Sequence, residues 1–89
     1  MTSEETTLLE FPCAFPIKAM GRSEEGFETL VREIIFRHAS AWDDDAVTVR
    51  PSGAGNFTSV TIVVRAESRP QLDRIYQDLT DCDRVLMAL

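Results

Sequence analysis

The residues best suited to chemistry in this 89-residue chain are a run of carboxylates, a lone histidine, a glycine pair and two cysteines. Asp43, Asp44 and Asp45 follow Trp42 and together would attract a cation. Side chains on adjacent residues diverge, however, and no spaced set of further acidic ligands follows, as an EF-hand requires, so the run reads as a solvated acidic loop. His38, with a serine and an aspartate, would make an acyl-transfer triad. No serine here sits in the strained Gly-x-Ser-x-Gly turn that exposes a nucleophile, and His38 falls at a predicted helix end, where a cation complements the helix dipole. Gly53-Ala54-Gly55 has the look of a phosphate loop, yet it joins two predicted strands and lacks the Lys-Ser/Thr pair; a hairpin using glycine at positive φ explains it. Cys13, Cys82 and one histidine cannot supply the four ligands of a structural zinc, and two cysteines are too few for a disulfide scaffold. They read as reduced, partly buried packing residues that are not bonded to each other. No catalytic, metal-binding or cofactor-binding residue is expected, and the chain does not read as an enzyme.

Charge narrows the partners. Nine Lys and Arg against fifteen Asp and Glu give a net charge of −6 and a pI near 4.6. Nucleic-acid binding draws on phosphate neutralisation, which this balance opposes, so no nucleic-acid partner is expected. The longest uncharged apolar run, Val60 to Val64, falls far short of the ~20 residues of a membrane span. The first residues lack the basic start and apolar stretch of a secretory signal, so no membrane role is expected and the cytoplasm is the expected location.

These residues must be positioned by a single domain over residues 11–89, preceded by a loose tail over 1–10; Leu8, Leu9, Phe11 and Pro12 suggest that the tail then docks on the body before the first strand. Phe15, Ile17 and Ala19 alternate with polar or small residues, predicting a first strand from Cys13 that Gly21 ends. Pro16 has no N–H for the ladder and belongs near the start of pairing or at a bulge. Ser23 is a good N-cap, and Phe27, Leu30, Val31, Ile34 and Ile35 form one face of a helix expected from Glu24 to about His38, with Gly26 weakening its first turn. Val47 and Val49 mark a second strand, residues 51–56 a turn, and Phe57 to Ala66 a third strand with Val60, Ile62 and Val64 on one face. Ser68 caps a second helix with Pro70 in its first turn and Leu72, Ile75, Tyr76 and Leu79 as its stripe. Asp83 to Leu89 closes as a fourth strand.

The order βαββαβ predicts an α+β, ferredoxin-like two-layer sandwich: a four-stranded antiparallel sheet ordered fourth, first, third, second, with two helices on one face. Phe15, Ile17, Val47, Val49, Val60, Ile62, Val64, Val85 and Met87 are expected to face the helices. The other face is expected to stay open and to carry Lys18, Met20, Thr48, Arg50, Thr61, Val63, Arg65, Leu86 and Ala88. It offers no aromatic ring for base stacking, and its apolar and basic blend suits a protein partner or a second copy. Homodimerisation through this face or the exposed second strand is a further expectation.

Leu9-Glu10-Phe11-Pro12, Phe15, Lys18, Met20-Gly21, Arg37-His38, Pro51-Ser52, Gly55-Asn56-Phe57, Ser59-Val60, Tyr76, Leu79, Asp83, Val85, Met87 and Leu89 occur in an order and spacing that resembles the YbeD-like family of small bacterial proteins. The acidic run and the polar tail are departures. The resemblance implies a ferredoxin-like fold related to ACT regulatory domains, and the label lipoate regulatory protein used for some members implies regulation without a reaction. It points to a regulatory or adaptor domain that acts by binding another protein. Pro51, Ser52, Gly55, Asn56, Phe57 and Ser59 then form a candidate binding loop, or else only a structural turn. The alternative is an ACT-like small-molecule sensor, in which Gly21, Arg22 and Ser23 would offer N–H groups and a guanidinium to an anion.

Overall fold

A computed structural model describes residues 10–89. The readings of residues 1–9 as a tail, and of Leu8 and Leu9 as docking residues, lie outside the described residues. The elements are β1 (Cys13–Arg22), α1 (Phe27–Phe36), β2 (Val47–Ser52), β3 (Phe57–Ala66), α2 (Arg69–Asp81) and β4 (Met87–Ala88). The four strands form one antiparallel sheet in the order β2-β3-β1-β4. This is the ferredoxin-like arrangement that the element order predicts.

Alternation decides which side is buried. Ile17 and Ala19 of β1 and Val60, Ile62, Val64 and Ala66 of β3 are buried on one face, against Phe27, Val31, Ile34 and Ile35 of α1 and Leu72, Ile75 and Leu79 of α2. Each buried Val, Leu, Ile or Phe contributes roughly 1.5–3 kcal/mol, so this interface carries the fold. Ser68 caps α2 by accepting the Gln71 N–H at 3.2 Å, and the Gln71 side chain returns to accept the Glu67 N–H at 2.7 Å. Pro16 pairs with Val63 but sits, like Lys18, where backbone groups face β4; its missing N–H therefore removes no bond to β3.

Several local expectations need correction. Helix α1 is capped by Gly26 at φ 85° and not by Ser23. Ser23 is recruited elsewhere: its N–H donates to the Asn56 carbonyl at 2.9 Å, and its hydroxyl pairs with Thr58 Oγ1 at 2.8 Å. Gly21 does not end β1 but lies within it. A Cβ on Gly21 would overlap the Phe27 ring and the Arg84 carbonyl, so glycine is required by close packing. Pro51 and Ser52 belong to β2 and not to the turn.

The last strand is short, and its faces are exchanged relative to expectation. Asp83 and Arg84 turn, with the Val85 N–H on the Cys82 carbonyl at 3.0 Å, before pairing begins at Leu86. Ala88 lies opposite Ala19 and packs on the core, whereas Met87 lies opposite Met20 on the other face. Val85 also packs on the core. Two inward residues three positions apart show that the turn resets the alternation. Val49 faces the helix side, opposite Val60, but remains 42% exposed because β2 is an edge strand beyond the helices' cover. Cys13 and Cys82 are half-buried and unbonded. Among the described residues, no helix is long and apolar enough to cross a membrane.

Candidate functional site: the open face of the sheet

The side chains that point away from the helices follow from the registers. Strand β3 contributes Phe57, Ser59, Thr61, Val63 and Arg65; opposite them on β1 stand Arg22, Met20, Lys18, Pro16 and Ala14. Strand β2 adds Ser52, Arg50 and Thr48 opposite Phe57, Ser59 and Thr61. Met87 joins beside Met20, and Leu89 beside Lys18 through reciprocal backbone bonds of 3.0 and 2.8 Å. Met87 and Leu89 therefore occupy the places expected of Leu86 and Ala88.

The face also carries aromatic rings, contrary to expectation. The Arg22 guanidinium lies 5.9 Å from the Phe57 ring centre, and that of Arg65 lies 5.7 Å from the Trp42 ring. Both separations are within cation–π range, so each arginine stands over an aromatic ring. Trp42 reaches the sheet because Ala41 bridges Val64 and the Trp42 N–H bonds the Val63 carbonyl at 2.9 Å. The aspartate run is the bulge between this bridge and β2, with the Asp43 carboxylate accepting the Asp45 N–H at 3.0 Å. Exposed apolar surface is substantial: Trp42 is 42%, Met87 50% and Leu89 63% exposed.

The sequence-predicted sites converge at one end of this face. Gly21 and Arg22 pair with Thr58 and Phe57, and Ser23 bonds Asn56, so the ligand-site triplet and the hairpin adjoin. The hairpin turn itself is short. Gly53, Ala54 and Gly55 all have positive φ, and the Ser52 and Gly53 carbonyls accept the N–H groups of Gly55 and Asn56 at 3.1 Å. Ser52, Phe57 and Ser59 lie on the open face itself. A cavity of about 180 Å³ beside Arg22 is lined by Glu24, Asp83, Arg84 and Leu86, with Arg84 Nε donating to Glu24 at 3.2 Å.

His38 lies elsewhere. Its Nε2 is 2.6 Å from Asp78 Oδ2, its carbonyl accepts from Gln71 Nε2 at 3.0 Å, and Arg37 approaches Asp78 at 3.6 Å. The cluster ties the end of α1 to α2. A shallow depression of about 480 Å³ beside it involves Phe36, Ser40 and Arg65; within it Gln71 Nε2 donates to the His38 carbonyl and Arg65 pairs with Glu67 at 3.5 Å. Among the described residues, no group of three or more His, Cys, Asp or Glu is placed to hold a metal.

Comparison with known proteins places this geometry in a family. The family described as "Protein of unknown function (DUF493)" matches residues 6–89. The chain belongs to the DUF493 family. This is the YbeD-like family that the sequence resembles. The DUF493 chain is 43% identical over 89 residues to a UPF0250 protein of Paraburkholderia phymatum, with all of both chains covered. It is 43% identical over 91 residues to one of Neisseria gonorrhoeae, again with full coverage of both. A UPF0250 protein of Nitrosomonas europaea is 45% identical over 85 residues, covering 96% of this chain and 98% of its own. None of these names denotes an enzyme.

Proposed function

We propose that this DUF493 protein is a small regulatory or adaptor domain that works without catalysis, by binding another protein through the open face of its sheet. The observation that carries this reading is the composition of that face. Arginine, methionine and tryptophan are enriched at protein interfaces, and here Arg22, Arg65, Met20, Met87 and Trp42 share one surface with Leu89. Single exposed apolar residues are ordinary, but several on one face together with arginines set over aromatic rings support a binding role for that face.

The ACT-like sensor is the lesser reading. The cavity beside Arg22, about 180 Å³, is smaller than the ~300 Å³ at which ligand pockets begin. The Ser23 N–H already serves the Asn56 carbonyl, and Gly21 is buried under Phe27.

Immobilised protein incubated with extract of its own host tests the proposal. Met87→Ser with Leu89→Ser removes exposed apolar contacts and leaves stability within ~0.5 kcal/mol of wild type. The proposal expects a stoichiometric protein partner on the wild type and its loss on this variant. The same partner captured equally by both, or no stoichiometric partner at all, contradicts it.

A further inference from the structure

We infer that the partner surface recognised by the open face is acidic: a peptide segment in which carboxylates alternate with apolar side chains. The inference rests on the proposed binding face and adds its chemistry. The chain carries a net charge of −6, yet among the described residues no Asp or Glu falls in a strand, whereas Lys18, Arg22, Arg50 and Arg65 all do. All four point to the open face. Among the described residues, Lys18, Arg22 and Arg50 form no ion pair, and Arg65 reaches only exposed Glu67 at 3.5 Å. A surface sorted so sharply against the charge of the whole molecule is complementary to anions.

Spacing defines the partner further. Along β3 the cations stand at Phe57 (Arg22), Thr61 (Lys18) and Arg65, steps of about 13 Å and a span of about 26 Å. Met20, Met87 and Val63 lie between these levels, and Leu89 stands beside Lys18. A second copy docked face to face would set these cations against their own kind, so it does not fit. An extended phosphate polymer or an anionic membrane overruns the face and meets the flanking carboxylates, Asp43–Asp45 beside Trp42 and Glu24 and Glu25 beyond Arg22. A short acidic and apolar segment is confined to the face and avoids them.

The probe is a fluorescein-labelled peptide of alternating Glu and Leu, with an alternating Lys and Leu peptide, oligo(dT) and phosphatidylglycerol vesicles as comparisons. Binding is read by anisotropy, and for vesicles by co-sedimentation, at low and at high salt. Lys18→Glu with Arg50→Glu reverses two exposed cations on the face. Arg69→Glu with Arg74→Glu makes the same change of net charge on α2, away from the face. The acidic peptide is expected to bind saturably, and about tenfold more weakly to the face variant, while the α2 variant stays within about twofold of wild type. Raised salt should weaken it as the Debye length shrinks from ~10 Å at 0.1 M to ~3 Å at 1 M. Absence of saturable binding, equal weakening by the two variants, or tighter binding of oligo(dT), vesicles or the basic peptide overturns the inference. A partner captured from extract through Met87 and Leu89, with no affinity for the acidic peptide, removes the acidic chemistry and leaves the binding face standing. Failure of the capture experiment as well removes both.

Discussion

Substituting Gly21 by alanine separates its packing role from the ligand-binding role that the sequence suggests. The backbone there is ordinary strand, so the perturbation is the added methyl alone. That methyl would overlap the ring of Phe27, itself 2% exposed, and the carbonyl of Arg84. The ring can shift only into a filled core, and the carbonyl belongs to the turn that launches β4. Overpacking costs about 1–3 kcal/mol, and a backbone obstacle puts this site at the upper end, ~3 kcal/mol. Loss of glycine's unfolded-state freedom offsets about 0.4–1 kcal/mol. A net loss of ~2 kcal/mol corresponds to a fall in melting temperature of roughly 8–16 °C for a domain of this size. Urea denaturation reads it as a lower midpoint at an unchanged slope. Phe27→Leu in the alanine background should cost less than in wild type, a coupling of at least ~0.5 kcal/mol, because the shorter side chain vacates part of the contested space. Gly21→Ala within ~0.5 kcal/mol of wild type, or strictly additive effects with Phe27→Leu, refutes the packing account.

Other perturbations report on separate parts of the fold. Ser68→Ala removes the cap of α2 and should cost ~1 kcal/mol in the same urea assay, with Ser68→Asp restoring most of it. Ala54 holds φ 58° in the hairpin turn, so Ala54→Gly should relieve strain and leave stability equal or raised by up to ~1 kcal/mol. Burial raises the pKa of the Tyr76 hydroxyl above 10.0. The unfolded tyrosine therefore loses its proton first, and stability present below pH 10 declines as pH rises through the folded value; Tyr76→Phe should flatten that decline in pH-dependent thermal unfolding.

What could be read from the sequence divides along physical lines. Strand β3 was legible to its ends because alternating β-branched residues are bounded by a glycine turn and by the Ser68 cap. The start of α1 was not, because Ser23 satisfies a local capping rule but is claimed by Asn56 and Thr58 across the sheet. The facing of β4 was hidden by the turn at Asp83 and Arg84, which resets a period of two that sequence alone extends unbroken. Phe57 on the open face had a usable signal, since it has the same parity as Thr61 and Val63, opposite to Val60 and Ile62. Trp42 had none: the bulge over Asp43–Asp45 breaks the register that brings its ring to Arg65. The sorting of cations into strands was written in the sequence but gains meaning only once the registers put all four on one side.

The open face as the binding surface is tested most directly by amide-resolved NMR of labelled protein titrated with the partner captured from extract. Chemical-shift changes are expected to cluster at Lys18, Met20, Arg50, Thr61, Val63 and Met87, with α1 and α2 undisturbed. Changes centred on the helices, or on the depression beside His38, with those strand residues unmoved, would contradict it.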